Sequence, residues 1–452
     1  MASPVLAAQT VCAPKWAGVE STDTSLLQAA IKTCSAAGTG SLPGLVDLVA
    51  NGSVGKAQIT TVALSSNIVI KLEPGFTLQG PNPADVGYTG TASSSPPAMF
   101  TGSHLSNITI TGSGVIDGNG AGYWALFNKG GSFENQDRQK LISISGSNIR
   151  IGANFDDTGQ PHPTVTFPTS INSTANVLTI RNSPKEHVAI ESGSGNVVID
   201  GVWIYAPTGR ANLGSGSNNN IAPNTDGIDI IGTAAATIRN CLVDTGDDDV
   251  AIKSNAGSST TSDVTVQGCV FGGGHGLSIG GQEASGVTTV NVANVWFKGT
   301  DFGFRIKTDN SSKDSGVTNG VTYQNACMIG VGEPVLFTYN YNGSSSGGHP
   351  PTIENVTVNN LIATSASTAG VSATLGAIDG LTDDLMNRNI VVTQSRITGS
   401  GATPFLVTFG TLVLGSASTI ATSTGSKGAV MRTTDTAPTV SCPASITIPK
   451  QL

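Results

Sequence analysis

The sequence predicts an all-β chain folded as a right-handed parallel β-helix, a solenoid with a short helix capping its N-terminal end. Three observations point there. Segments of one design recur: ITITGSGVIDG, LISISGSNIRI, VVIDGVWIYAP, ATIRNCLVDTG, VTVQGCVFGGG and VNVANVWFKGT each read as a short β-branched strand, a polar or Asn-containing turn and a second short strand. Within each half, apolar and polar residues alternate with the strand period, and helical periodicity is almost absent after residue 40. Hairpin turns between paired strands are scarce, which disfavours sandwiches and propellers.

The exception to the strand pattern comes first. STDTSLLQAAIKTC places Leu26, Leu27, Ala30 and Ile31 at helical spacing, with a Ser or Thr available as N-cap. A solenoid leaves its terminal core and strand edges open, so this helix is expected to close that end, with Cys12–Cys34 as a candidate bridge. The chain reads as one domain over 1–452: a cap over 1–45, coils over 46–430 and a C-terminal tail. Two polar stretches, 154–173 and 206–223, read as long surface loops rather than linkers. Asn240, Asn325 and Asn360 read as residues that stack in equivalent turns.

The coils can be registered by their apolar pairs. Ile228/Ile230, Val250/Ile252, Leu277/Ile279, Phe304/Ile306 and Val335/Phe337 recur every 22 to 31 residues. Equivalent positions on coils about 4.8 Å apart form columns. Two residues ahead of three of these pairs stand Asp226, Asp248 and His275. The next position holds Gly227, Asp249, Gly276 and Gly303, which suggests a tight bend able to turn the preceding side chain outward. Asp247 lies beside the column. Arg305 and Lys307 have the parity opposite to Phe304 and Ile306, so both should face outward beyond His275. Lys253 shares that parity two coils away and is a candidate ligand for substrate on the other side of the cut.

This constellation points to a chemistry. Clustered carboxylates are costly to ionise together, so at least one should hold a proton at mild pH. One Asp can then protonate a glycosidic oxygen while another activates water. Fixed Arg and Lys side chains suit a sugar that bears a carboxylate. An isolated Asp-Asp is usually a solvated turn, an isolated GHG a turn with a bonded His, and Arg-x-Lys a solubilising edge. Their order on successive coils carries the inference. His187 is more readily read as a satisfied structural histidine than as part of the cleft.

Composition narrows the partners. The formal charge is −8, the pI near 5.1, and 12% of residues are charged. Nucleic acid is a poor partner for such a chain, and no apolar run is long enough to span a membrane. The six cysteines form no CxxC pair, so a zinc site lacks support. Low Lys content with abundant Ser, Thr, Gly and Asn reads as a secreted protein. MASPVLAAQT has neither a basic start nor an apolar core, so the expectation is a mature chain carrying Met1. Six Asn-X-Ser/Thr sequons, at Asn51, Asn107, Asn172, Asn310, Asn342 and Asn355, are what chance makes in such a composition.

NTDGIDI, GDDDVAIKS, GHGLSIGG and FRIKT, in that order, resemble the four motifs of glycoside hydrolase family 28, the polygalacturonases. GVIDGNGAGYW, NSPKEH and PVLFTYNYNG match further, and the resemblance runs from the cap to about residue 345. It implies a right-handed β-helix that hydrolyses 1,4-linked galacturonic acid in pectin, with inversion and no cofactor or metal. By position, Asp247 matches the general acid, and Asp226 and Asp248 the pair that activates water. His275 matches the histidine near the leaving group. Arg305 and Lys307 match the binders of the substrate carboxylate, and Asn224 and Tyr341 match substrate contacts. Many members carry Cys after the Asp pair and a second Cys four residues before the His; here those places hold Asp249 and Phe271. Asp249 is therefore expected to be structural or solvated, and Cys241 and Cys269 to be buried free thiols stacked in neighbouring coils.

Alternatives stay open at this level. A rhamnogalacturonan hydrolase should lack the Arg-x-Lys pair, whereas a xylogalacturonan hydrolase remains open. A pectate lyase would need a Ca²⁺ carboxylate cage and an Arg base. A non-catalytic carbohydrate-binding β-helix would not need the acids. Endo action is the alternative to exo action; the loops at 154–173 and 206–223 could close one groove end and so favour exo. The expected partner is polygalacturonate or pectin, and the expected state a monomer.

Overall fold

A computed structural model describes residues 8–51, 54–91, 95–162, 176–207, 222–308, 316–341, 351–368, 370–380, 387–446 and 448. Most of the expected loops, and the sequons at Asn172, Asn310 and Asn342, lie outside the described residues. Every paired strand runs parallel to its neighbours in a single continuous sheet. Each coil contributes strands to three faces, and inward side chains from all three fill one apolar core. No helix among the described residues is long and apolar enough to cross a membrane.

One face carries the strands that bear the sequence-predicted site residues: β1 (Ile228–Ile231), β2 (Val250–Ser254), β3 (Leu277–Glu283), β4 (Phe302–Lys307) and β5 (Glu333–Thr338). Their register is the expected one. Ile228 pairs with Val250, Val250 with Leu277, Leu277 with Phe304, and Phe304 with Val335. The physical reason is simple: the inward pair on each coil must be apolar, so a coil can rest only where pair meets pair. The core below is partly aromatic, with Phe304 stacked on Tyr323 at 4.2 Å and edge-on to Phe297 at 5.4 Å.

The turns are held by stacked amides. Asn107 Nδ2 donates to Asn67 Oδ1 at 2.7 Å, and Asn148 Nδ2 to Asn107 Oδ1 at 3.0 Å. Asn360 donates to Asn325 at 2.7 Å, and Asn325 to Asn294 at 3.2 Å. Asn240 instead donates to Asp200 Oδ1 at 2.8 Å. These Asn residues have φ between 51° and 59°, a left-handed conformation that Asn tolerates because its short amide bonds locally.

The N-terminal end is capped by helix α1 (Glu20–Ala37), and the Cys12–Cys34 disulfide ties it to the first strand. One detail differs from expectation. The helix starts at Glu20, with Val19 as N-cap and no side-chain cap, so neither Ser nor Thr serves there. Asp23 instead accepts from the Ala17 N–H at 2.6 Å and holds the preceding chain. A second short helix, α2 (Ala121–Phe127), was not foreseen; Tyr123 and Trp124 bury against the coils at that turn. Cys241 and Cys269 are buried free thiols in adjacent coils, as expected. Cys327–Cys442 is a second disulfide. It closes 115 residues of sequence and draws the tail back along the outside, where Ile446 buries against Trp203, Tyr205, Leu242 and Val270.

His187 is structural. It is fully buried, its Nδ1 lies 3.0 Å from the Asp226 carbonyl, and its Nε2 accepts from the Ser183 N–H at 3.3 Å. Burial pushes the imidazole down from 6.5 to about 4. The unfolded chain therefore takes up the proton first as pH falls. The stabilisation is fully present above pH 6.5 and is lost between 6.5 and about 4. The expected loss is roughly 3 kcal/mol at about 1.4 kcal/mol per pH unit of displacement. Urea unfolding of the parent and of His187→Gln across this range tests it. The difference between the two proteins should shrink steadily as the pH is lowered; a pH-independent difference would show that His187 is not buried neutral.

Candidate active site

The bend at the start of each of these strands places one side chain per coil above the same face. At Gly276 φ is 73°, and a Cβ there would lie 2.1 Å from the Phe302 carbonyl oxygen, so only glycine fits. The register carries Asp226, Asp248 and His275 into one column, as the sequence implied. It also extends that column. Glu186 stands one coil before Asp226, and Phe302 and Glu333 follow His275. All three lie two residues ahead of the first inward apolar residue of their coil, the same offset that identified the Asp and His residues, and could have been found by it.

Asp247 and His275 form the outermost pair. His275 Nδ1 lies 3.0 Å from Asp247 Oδ1, which also accepts the Asp248 N–H at 2.9 Å. His275 Nε2 is 3.6 Å from Asp301 Oδ2, a contact that sequence reasoning missed. The Asp301 carboxylate is itself anchored by the Thr368 hydroxyl at 2.6 Å.

Asp248 is 1% exposed and saturated with donors. Lys307 Nζ donates to its Oδ2 at 2.8 Å, and Ser278 Oγ to its Oδ1 at 2.8 Å. Arg305 Nη2 also donates to Oδ1, and Arg305 Nε to Ser278 Oγ at 2.9 Å. Arg305 and Lys307 thus face away from the core, as their parity demands. The structure nevertheless corrects the picture of two open cations: they are 3% and 4% exposed, because Asp248 draws both inward. Phe302 stacks under Arg305 at 4.2 Å, and Tyr341, 42% exposed, lies 4.6 Å from Lys307 Nζ.

Lys253 does not stand free toward the groove either. Its Nζ bridges Asp226 Oδ2 at 3.0 Å and Asp229 Oδ2 at 2.8 Å and so ties these two carboxylates together. Asn224 is exposed beside Asp226, with φ 54°. Asp249 is not solvated: it is fully buried, and its Oδ1 accepts from Thr245 Oγ1 at 3.2 Å.

These environments separate the acids. Burial drives Asp226 well above the ordinary carboxylate value; Lys253 opposes the rise, while Asp229, Asp247 and Asp248 add to it. Burial would raise Asp247 and Asp248 too. The His275 charge and hydrogen bond overturn that at Asp247, and Lys307 and Arg305 overturn it at Asp248, so both end below the ordinary value. The column thus holds neighbouring acids of opposed tendency, Asp226 raised and Asp247 and Asp248 lowered. Asp249 is raised by burial and by Asp244. Glu333 is pushed up to about 7 by burial, which Arg305 only partly offsets. Oxygens of Asp247 and Asp248 and a nitrogen of His275 lie within 4.8 Å of one another, a spacing metals use. Here Asp248 is already engaged by two cations, which suits hydrogen-bond chemistry better than a second positive charge.

Comparison with known proteins agrees with this geometry. The family described as glycosyl hydrolases family 28 matches residues 48–401. An endo-polygalacturonase of Pectobacterium carotovorum subsp. carotovorum is 30% identical over 339 residues, covering 73% of this chain and 75% of that protein. The structure of a polygalacturonase from Erwinia carotovora ssp. carotovora superposes with a TM-score of 0.67 at 22% identity, covering 91% of this chain and 99% of the other. A family 28 exopolygalacturonase from Yersinia enterocolitica superposes with a TM-score of 0.70 at 18% identity, covering 96% and 80%. At those identities the two structures speak for the fold. The family match covers most of the length and includes every residue of the column, so the chain belongs to glycosyl hydrolases family 28 and is a hydrolase of that family.

Proposed function

We propose that the chain hydrolyses the 1,4-α-galacturonosidic bonds of polygalacturonate with inversion, cutting from a chain end. The observation that carries the reading is the pairing of Asp247 with His275 at 3.0 Å beside an Asp248 gripped by Arg305 and Lys307. Asp247 and His275 share one proton across their hydrogen bond. Its transfer to the glycosidic oxygen leaves a carboxylate and a neutral imidazole, which balances the step. Asp226 and Asp248 flank the position of the attacking water.

Arg305 and Lys307 then have two anions to serve. A galacturonate carboxylate arriving at Tyr341 competes with Asp248 for both. As the cations turn to the substrate, Asp248 loses the charges that hold its proton affinity down, and becomes a better base when substrate is in place. Asn224, exposed beside Asp226, is positioned to contact the sugar on the other side. Lys253 keeps Asp226 in place. The relatives include endo- and exo-acting enzymes. The two long loop sequences at 154–173 and 206–223 favour exo action. Two disulfides favour an oxidising, extracellular setting.

A chromatographic time course on polygalacturonate tests the reading. Reducing ends should appear with no UV-absorbing unsaturated product, and monogalacturonate should lead from the earliest samples. A ladder of oligomers would make the enzyme endo-acting, and an unsaturated product would make it a lyase.

Substitutions assign the acids. Asp247→Asn and Asp248→Asn should each abolish turnover in a folded protein. Asp249→Asn should keep most activity, since Asp249 is buried with a raised pKa and an amide imitates its neutral form. A folded but inactive Asp249→Asn would mean that the acid is misassigned. Arg305→Ala and Lys307→Ala should each lose about 1.5–3 kcal/mol of transition-state stabilisation, roughly 10- to 150-fold in kcat/KM. Unchanged kinetics in both would remove the cation pair from substrate binding.

A further inference from the structure

Arg138 is buried at the head of the groove, 3% exposed, in a setting unlike the other site cations. Its Nη1 donates to the Pro184 carbonyl at 2.8 Å and to the Pro223 carbonyl at 2.7 Å, and its Nη2 donates to Asn224 Oδ1 at 2.7 Å. The guanidinium carbon sits 4.1 Å from the centre of the Phe127 ring on α2. Among the described residues no carboxylate pairs with that guanidinium. A buried charge bonded only to neutral oxygens is costly, and a purely structural tie could be made by an uncharged group.

The three acceptors lie in two segments on neighbouring coils. One is the turn before the strand that begins at Val188. The other is Pro223–Asn224, two residues before Asp226. Asn224 stands in the left-handed region with its side chain exposed. A guanidinium has donors and no acceptor, so the group it holds on Asn224 must be the oxygen. The amide therefore cannot flip. Its N–H₂ group is turned away from Arg138, and among the described residues it has no partner.

We infer that Arg138 is a positioning residue that locks the Asn224 amide with both N–H donors facing the groove, where they bind a hydroxyl or carboxylate of the galacturonate unit beside Asp226. The inference rests on the galacturonate reading above. Without Arg138 the amide is free to turn its oxygen toward an anionic substrate, which would repel it. The charge of Arg138 also reaches Asp247 electrostatically, so the same residue adds positive potential on the acid side of the site.

The test uses trigalacturonate binding by calorimetry in an Asp247→Asn background, so that turnover does not intrude. Arg138→Gln and Asn224→Ala should each weaken binding about tenfold, the worth of one good hydrogen bond to a charged or polar partner. The double variant should bind no worse than Asn224→Ala alone. Arg138→Lys, which keeps the charge but not the fork, should recover only part of the affinity and serves if Arg138→Gln does not fold. A structural tie would lower the melting temperature and leave the effects on Kd independent. Multiplying losses in the double variant, or unchanged Kd in folded Arg138 variants, would overturn the inference. Binding by the parent without hydrolysis by the native enzyme would remove the hydrolytic reading and leave this one standing. Absence of binding by the parent would overturn the substrate reading and this inference together.

Discussion

Each coil of this chain must lie on the one before it in parallel register, at a single strand spacing of about 4.8 Å. Inward positions are then in contact from coil to coil and must be apolar, while the residue two places ahead of the first inward apolar one is repeated as a column along one face. The core and the site are two consequences of that stacking. Ile228, Val250, Leu277, Phe304 and Val335 form the inner ladder; Asp226, Asp248, His275, Phe302 and Glu333 form the outer one. Residues 22 to 31 positions apart become neighbours without any further device.

Such a column concentrates carboxylates, and the cost of ionising them has to be met locally. Two solutions appear side by side. Around Asp226 there is one cation, Lys253, for two buried carboxylates, and the result is a raised proton affinity. Around Asp248 there are two cations for one carboxylate, and the result is a depressed one. Neighbouring acids of identical chemistry are thereby driven apart in proton affinity by the charges each one meets. Pairing also explains why Arg305 and Lys307 are hidden: the buried Asp248 carboxylate draws both cations onto itself.

The ends and edges follow a different logic. Stacking supplies no closure for the first coil, so α1 and Cys12–Cys34 supply it. The outer apolar surface around Trp203 and Leu242 is covered by the tail, which Cys327–Cys442 holds in place. These elements close the end and the outer flank of the solenoid, away from the column.

The sequence by itself determined the coil architecture, the register and the Asp226, Asp248 and His275 members of the column, because all three depend on periodic patterning. It also marked the cap helix, the Cys12–Cys34 bridge and the buried thiols. Only the tertiary structure decided which groups pair within the column. Asp248 meets its cations from 57 and 59 residues away, Lys253 bridges Asp226 and Asp229, and Arg138 reaches Asn224 across 86 residues. The Cys327–Cys442 bridge, the start of α1 at Glu20 and the burial of Asp249 were equally hidden. Parity states whether a side chain leaves the core. It does not state which charge the side chain finds outside, since that depends on reach and burial among residues that only the folded coils bring together.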